Sequence, residues 1–183
     1  HYQQNLNDAN YTLKDTENKT GTTGDTVEAA AKNYDGFTYD KTVTGTVDSG
    51  KVAADGTLVL KLYYTRDSYK VTYKYDGPVP AGATALPEEA TYKYGATVTV
   101  AEAASATGYT FSGWQIDDEA AGTTFTMPAK AVEITGSFSA NTNTAYKVKH
   151  YLEDLNADTF TLDETEDKEG TTGAEVTATP KTY

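Results

Sequence analysis

The stretch HYLEDLNADTFTLDETEDKEGTTGAEVTATPKTY, residues 150–183, is a second version of the stretch HYQQNLNDANYTLKDTENKTGTTGDTVEAAAKNY, residues 1–34. Aligned without a gap, 17 of the 34 positions are identical, and substitutions such as Tyr11 to Phe160 keep the chemistry. Unrelated stretches share far fewer, so the chain contains an internal repeat with an offset of 149 residues.

Another kind of unit lies between the copies. It begins SYKVTYKYDG at Ser68, and the second copy begins similarly, AYKVKHYLED at Ala145. Both place Tyr-Lys-Val in the alternating register of a first strand. The offset therefore divides into two units, and we expect modules over residues 1–67 and 68–143, with 144–183 the first half of a further one. The module at 1–67 lacks the counterpart of Ala145–Lys149 and is expected to lack its first strand. A fragment of 40 residues is too small to close a core of its own, so 144–183 should be mobile, pack on its neighbour or borrow strands.

Composition narrows the class. With 38% hydrophobic and 11% aromatic residues the chain can bury a core, which a disordered acidic chain cannot. Fifteen tyrosines and frequent threonine favour strands, and the Asp-Gly pairs punctuate turns. There is no cysteine, which excludes disulfides and thiolate metal sites. A net charge of -12 argues against nucleic acid, whose binding is driven by Lys and Arg. No run of 18 apolar residues is present, so no direct membrane insertion is expected.

Strand signals dominate: NYTLKDTE, GFTYDKTVTGTV and TLVLKLYY in the first module, then YKVTYKY, ATVTV, GYTFSGWQI and AVEITGSF in the second. The loop DGPVPAGATALPEEA carries Pro78, Pro80 and Pro87 and cannot be a central strand. Two alanine-rich runs, 26–32 and 100–106, are candidate short helices. The expected fold is mainly β with those helices (α+β), arranged as tandem small β-grasp-like modules in an elongated array.

The motif GYTFSGW, residues 108–114, followed by Met127-Pro128 before the last strand, resembles the Listeria-Bacteroides repeat, also called the internalin B-repeat. Residues 1–67 and 144–183 are similar to MucBP-type repeats, with a Tyr-x-Val start, a Gly-x-x-Gly centre and a DGTLVLKLYYTRD ending. These resemblances imply modules of Gram-positive cell-wall proteins, often adhesins, and bring no catalytic residue with them.

Few residues suggest chemistry. Trp114 invites sugar stacking, or else fills the core through a bulge at Gly113. Asp117 and Asp118 could contact a cation or partner, yet adjacent carboxylates on one turn do not span a cleft as acid-base pairs must. Asp154, Asn156 and Asp158 have the alternate-oxygen spacing that starts a calcium loop, but Thr159 stands where its glycine belongs and the first copy does not keep the pattern. His1 and His150 share one repeat position without a nucleophile motif and are expected to pack or hydrogen-bond. No cofactor and no catalysis are expected. The expected role is a stalk-like repeat region of an extracellular bacterial surface adhesin, touching its neighbouring modules and a host glycoprotein or glycan. The alternative is a spacer in a secreted or wall-anchored carbohydrate-active enzyme.

Overall fold

The computed structural model describes residues 1–156 and 158–183. All its regular structure is β, and no helix occurs among the described residues. The chain divides into two compact units, one of His1–Tyr73, Pro87–Ala101 and Ile116–Ile134, the other of Lys74–Leu86, Glu102–Gln115 and Thr135–Tyr183.

The first unit opens with β1 (Tyr2–Gln4), β2 (Tyr11–Leu13), β3 (Thr26–Glu28), β4 (Phe37–Tyr39), β5 (Ser49–Lys51) and β6 (Tyr63–Arg66). Four of these form a sheet in the order β2-β1-β6-β4. β1 is antiparallel to β2 and parallel to β6, and β4 is antiparallel to β6. A parallel neighbour needs a long crossover, and the chain from β2 to β5 supplies it. β3 and β5 form a separate antiparallel ribbon.

The two expected helices are absent because their N–H groups are taken by distant acceptors. Thr26–Glu28 pairs with Ser49–Lys51, Ala29 donates to the Asp48 carbonyl at 2.7 Å and Lys32 to the Tyr64 hydroxyl at 2.9 Å. In the second run Val100 donates to Thr123, Ala101 to the Tyr73 hydroxyl and Ser105 to the Thr84 hydroxyl. Runs of seven residues cannot meet the cost of helix nucleation against such partners. The alternating stretch 36–47 also stops short as a strand at Tyr39, because the Asp40 carboxylate accepts the Thr42 N–H and hydroxyl and turns the chain.

The remaining strands are β7 (Ser68–Asp76), β8 (Ala90–Lys93), β9 (Thr97–Thr99), β10 (Tyr109–Phe111), β11 (Gln115–Ile116), β12 (Glu119–Ala120), β13 (Thr124–Thr126), β14 (Val132–Ala140), β15 (Thr144–Glu153) and β16 (Phe160–Gly170). Strands β7 and β14 each run through both units, in a sheet of order β12-β11-β14-β7-β8 with β10 on β14. β9 pairs with β13, and β15 with β16 in a long hairpin.

In the first unit Leu62, Tyr64, Val71, Val98, Met127, Val132 and Ile134 are buried. Fully burying a side chain such as Met127 or Ile134 contributes about 1.5–3 kcal/mol. Met127 is held by two backbone bonds, donating to Ala96 at 2.8 Å and accepting from Gly95 at 2.9 Å. In the second unit Ala104 and Trp114 are buried, and the described residues of 144–183 contribute no buried hydrophobic residue.

Each unit contains one tight junction built on the same plan. In the first, Gly36 has φ 74° and its carbonyl accepts the Asp67 N–H at 2.9 Å. The Asp67 carbonyl accepts the Tyr94 N–H at 2.8 Å, and the Asp67 carboxylate accepts the Thr38 hydroxyl at 2.8 Å. In the second, Gly108 has φ 80° and accepts from Asn141 at 2.9 Å. Asn141 in turn accepts from the Thr172 N–H at 2.8 Å and from the Thr110 hydroxyl at 2.7 Å. A β-carbon on Gly36 would lie 2.2 Å from the Tyr94 ring, and one on Gly108 would lie 2.8 Å from the Thr172 side chain. Gly36→Ala combines a left-handed backbone with overlap and should cost about 3 kcal/mol, read as a lower urea midpoint. An unchanged midpoint would contradict this packing.

Candidate functional site

Trp114 lies in the core of the second unit, with 7% exposure. Its ring stacks on Tyr75 at 5.6 Å and 14° and meets Phe111 edge-on at 4.9 Å. Its indole N–H donates to the Glu102 carbonyl at 2.9 Å. Phe138 closes the cluster against Tyr75 and Phe111 at 5.2 and 5.1 Å. Simple alternation would put Phe111 and Trp114 on opposite faces, but one extra residue intervenes. Phe111 pairs with Phe138 and Gln115 with Thr135, so four steps on one strand face three on the other. Gly113, at φ 86°, takes up the difference as a bulge that brings both rings to one side. A stacked and buried indole offers no open face to a sugar, so of the two sequence readings of Trp114 the structure shows the core one, reached through the bulge at Gly113.

Asp117 and Asp118 form the two-residue turn between β11 and β12, with φ 51° and 65°. Both being positive makes this the mirror-image turn that matches strand twist. The Asp117 carboxylate meets Lys130 at 2.9 Å on the open surface. These residues serve hairpin geometry and an exposed ion pair.

Asp154 closes the β15–β16 loop. Its N–H donates to the Thr159 carbonyl at 2.9 Å, and its two carboxylate oxygens accept the Thr159 and Thr161 hydroxyls at 2.6 Å each. These bonds hold its carboxyl below the usual range. Asn156 sits at φ 70° and Asp158 is exposed. Among the described residues no group of three or more His, Asp or Glu side chains is placed to hold a metal ion. The two threonine hydroxyls engage both carboxylate oxygens of Asp154, the first ligand of a calcium reading of Asp154, Asn156 and Asp158.

The two histidines sit in matching networks that sequence reading did not identify. His1 Nδ1 lies 2.9 Å from the Tyr64 hydroxyl, and its Nε2 lies 3.7 Å from Glu17. Glu17 binds Lys19 and Lys32 at 2.6 Å each, and Lys32 also bridges to Asp15. Tyr34 meets the His1 ring edge-on at 6.2 Å. Shifted by 149 residues, His150 lies 3.1 Å from Glu166, and Glu166 binds Lys168 at 2.5 Å and Lys181 at 2.7 Å. Lys181 also holds Glu164 at 2.7 Å, and Tyr183 meets the His150 ring at 6.4 Å. The signal was present in the alignment, since Glu17, Lys19, Lys32 and Tyr34 are all identical in the second copy. What the sequence could not show is that they converge on one histidine.

A shallow groove of about 470 Å³ in the first unit is lined by Tyr2, Asn10, Tyr11, Val43, Thr44 and Tyr63, among others. Tyr2 stacks on Tyr63 at 5.0 Å, and Tyr11 meets Tyr63 edge-on at 5.2 Å. Aromatic faces beside an amide suit a sugar ring or an extended peptide.

Residues 77–142 match the family model of the divergent InlB B-repeat domain. The match contains the Gly108–Trp114 motif and Met127-Pro128, which the structure assigns to the junction glycine, the aromatic core and the pinned β13 end. The search of curated proteins and that of solved structures return no match.

The carboxyls of Glu17 and Glu166 are held down to about 2, chiefly by hydrogen bonds from Lys19 and Lys168 and then from Lys32 and Lys181. A depressed carboxyl stabilises the fold above its ordinary 4.5, and that contribution is lost as pH falls through about 2. An NMR titration should therefore place both midpoints well below 4.5, and Lys32→Met should raise that of Glu17 alone. Ordinary midpoints in the parent chain would show the network to be absent in solution.

The turn between β11 and β12 yields a second expectation. Asp118→Gly relieves a left-handed backbone and should raise stability by about 0.5–1 kcal/mol, measured by urea unfolding. A loss of stability would contradict the turn geometry.

Proposed function

We propose that the chain is a non-catalytic repeat region of a bacterial cell-surface protein, serving as a stalk of β-grasp-like modules over residues 1–67, 68–143 and 144–183. The observation that carries this reading is the recurrence of one construction plan: the His–Glu–Lys network returns residue for residue, and the glycine junction returns between different partners. The family match over residues 77–142 supports an extracellular, wall-attached setting. Among the described residues no helix is long and apolar enough to cross a membrane. The flanking segments are read as MucBP-like modules on their sequence motifs. The polar residues most suited to chemistry are engaged in turns and in the repeated networks, which supports a structural role. Stability in such arrays comes mainly from each unit and its nearest neighbours.

A second reading gives the stalk an adhesive face. The groove at Tyr2, Tyr11 and Tyr63 favours contact with a host glycoprotein or glycan by stacking and hydrogen bonding, as the chain's acidity disfavours charge attraction to sulfated or sialylated sugars. Spacing a carbohydrate-active enzyme from the wall would use the same stalk without this face.

Small-angle scattering from the chain should give the profile of a rod, and a compact globule would refute the stalk. In a glycan array and mucin pull-down, any binding should fall at least tenfold with Tyr63→Ala, the loss of about 1.4 kcal/mol or more. Binding that survives this substitution would remove the groove from the reading, and absence of binding in the parent chain would leave the spacer alone.

A further inference from the structure

The groove beside Tyr2, Tyr11 and Tyr63 is walled by rings set at right angles. Tyr2 and Tyr63 lie nearly parallel, at 20°, whereas Tyr11 stands at 88° to Tyr63. Strand register makes this corner: Tyr2 faces Tyr63 across the parallel pair, and Tyr11 comes from the antiparallel neighbour, opposite Gln4. The turn after β4 adds a third side. Asp40 donates its N–H to the Tyr63 carbonyl at 2.9 Å, and Gly45, at φ 96°, lets the turn close on the Tyr63 ring. A β-carbon on Gly45 would lie 3.2 Å from the Tyr63 hydroxyl. Val43 and Thr44 line the groove as a result.

Its polar groups offer acceptors to whatever enters. Elsewhere tyrosine hydroxyls hold the fold: those of Tyr64 and Tyr73 accept the Lys32 and Ala101 N–H groups at 2.9 Å each, and that of Tyr75 donates to Thr84 at 2.7 Å. Among the described residues no hydrogen bond engages the hydroxyls of Tyr2, Tyr11 and Tyr63.

No side chain lining the groove is charged, but carboxylates stand beside it. Asp8 precedes the lining residues Ala9 and Asn10 and accepts the Asn10 N–H at 2.8 Å and the Asn5 amide at 3.0 Å. Asp40 Oδ1 accepts the Thr42 N–H and hydroxyl at 2.9 and 2.6 Å. Lys93 acts on Asp8, whereas the Asp40 carboxyl is held low by Thr42 and not by a cation. The Asp40 charge reaches the groove, since the Tyr11 phenol is pushed up by burial and then by Asp40.

We propose that this corner binds the guanidinium of an arginine on a protein partner, stacked against the tyrosine rings with its N–H groups turned to the phenol oxygens and Asp40. A guanidinium is a flat cation with a fork of donors and no acceptor, which complements aromatic walls and an acceptor-rich, negative rim. A neutral sugar gains nothing from the Asp40 charge. A quaternary ammonium has no donors and leaves the phenol oxygens unused, and a lysine brings charge without a flat face. The chain's net charge of -12 also draws a basic segment toward it. This inference rests on the adhesive reading for the groove's being a contact site, and it assigns that contact to the protein part of a glycoprotein.

The test follows the labelled tyrosine rings of the 183-residue chain by NMR as acetyl-Gly-Arg-Gly-amide is added, with citrulline and lysine peptides in parallel. The arginine peptide should give saturable shifts at Tyr2, Tyr11 and Tyr63. Citrulline keeps arginine's shape without its charge and should bind at least about tenfold more weakly, and lysine about threefold. Asp40→Asn still accepts from Thr42, so the fold is kept. It should weaken the arginine peptide by about threefold or more and flatten the salt dependence of its binding. No saturable shift, equal affinity for citrulline, or an unaltered Asp40→Asn variant would overturn the proposal, and equal affinity for lysine would overturn the choice of guanidinium. A sugar that binds the groove while the arginine peptide does not would overturn this inference and keep the adhesive face. Binding of the peptide with no response on the glycan array would support it and remove the sugar, and failure of both would remove the adhesive face altogether.

Discussion

A carbonyl that must reach across a junction, and a glycine that must leave it room, constrain everything around them. At Gly36 and at Gly108 the backbone turns left-handed and accepts a bond from the first residue after a last strand, Asp67 or Asn141. That residue spends its own carbonyl on the next turn and its side chain on Thr38 or Thr110. Each linker residue therefore satisfies its donor and acceptors locally, which removes the freedom a short polar linker would otherwise keep. The bonds at each junction run through the backbone, so side chains around them can vary without loss of the joint. The two junctions use that latitude, one with an arginine between rings and the other with alanine and tyrosine.

Away from the junctions, stability comes from small aromatic and aliphatic clusters joined by charged networks. Tyr64 is fully buried, yet its hydroxyl serves both His1 and the Lys32 backbone. A buried phenol with two partners organises its surroundings at little desolvation cost. Glu17 and Glu166 sit beneath histidines and between pairs of lysines, an economical use of cations in a chain of net charge -12. At the surface such pairs add little energy singly, and their value lies in fixing where the repeat's threads cross.

Much of the fold was legible in the sequence wherever local pattern and tertiary use agree. The 149-residue repeat, the β character, the Met127-Pro128 motif and the Gly108–Trp114 motif could all be read directly. The alanine runs misled because helix propensity was weighed without the distant carbonyls and hydroxyls that capture their N–H groups. Alternation could not place Trp114, because a single bulge at Gly113 reverses the face of every residue beyond it. The histidine networks were visible as identities but not as a site, since no spacing rule brings residues 1, 17, 19, 32 and 34 together. Asp154 shows the converse: oxygen spacing suggested a cation, whereas two threonines supplied by the hairpin occupy the oxygens.

The parallel pairing of β1 with β6 has a mechanical consequence. Tension applied through the chain would pull the entering strand and the leaving strand of the first sheet in opposite directions along their common axis. The bonds at Tyr2–Tyr63 and Gln3–Tyr64 would then be loaded in shear and share the force, whereas a hairpin pulled from its open end surrenders one bond at a time. The β15–β16 ribbon, antiparallel throughout, peels in that second way if drawn apart by its ends. Resistance to such tension would rest on a few backbone bonds in the first sheet, set by strand direction and not by the size of the core.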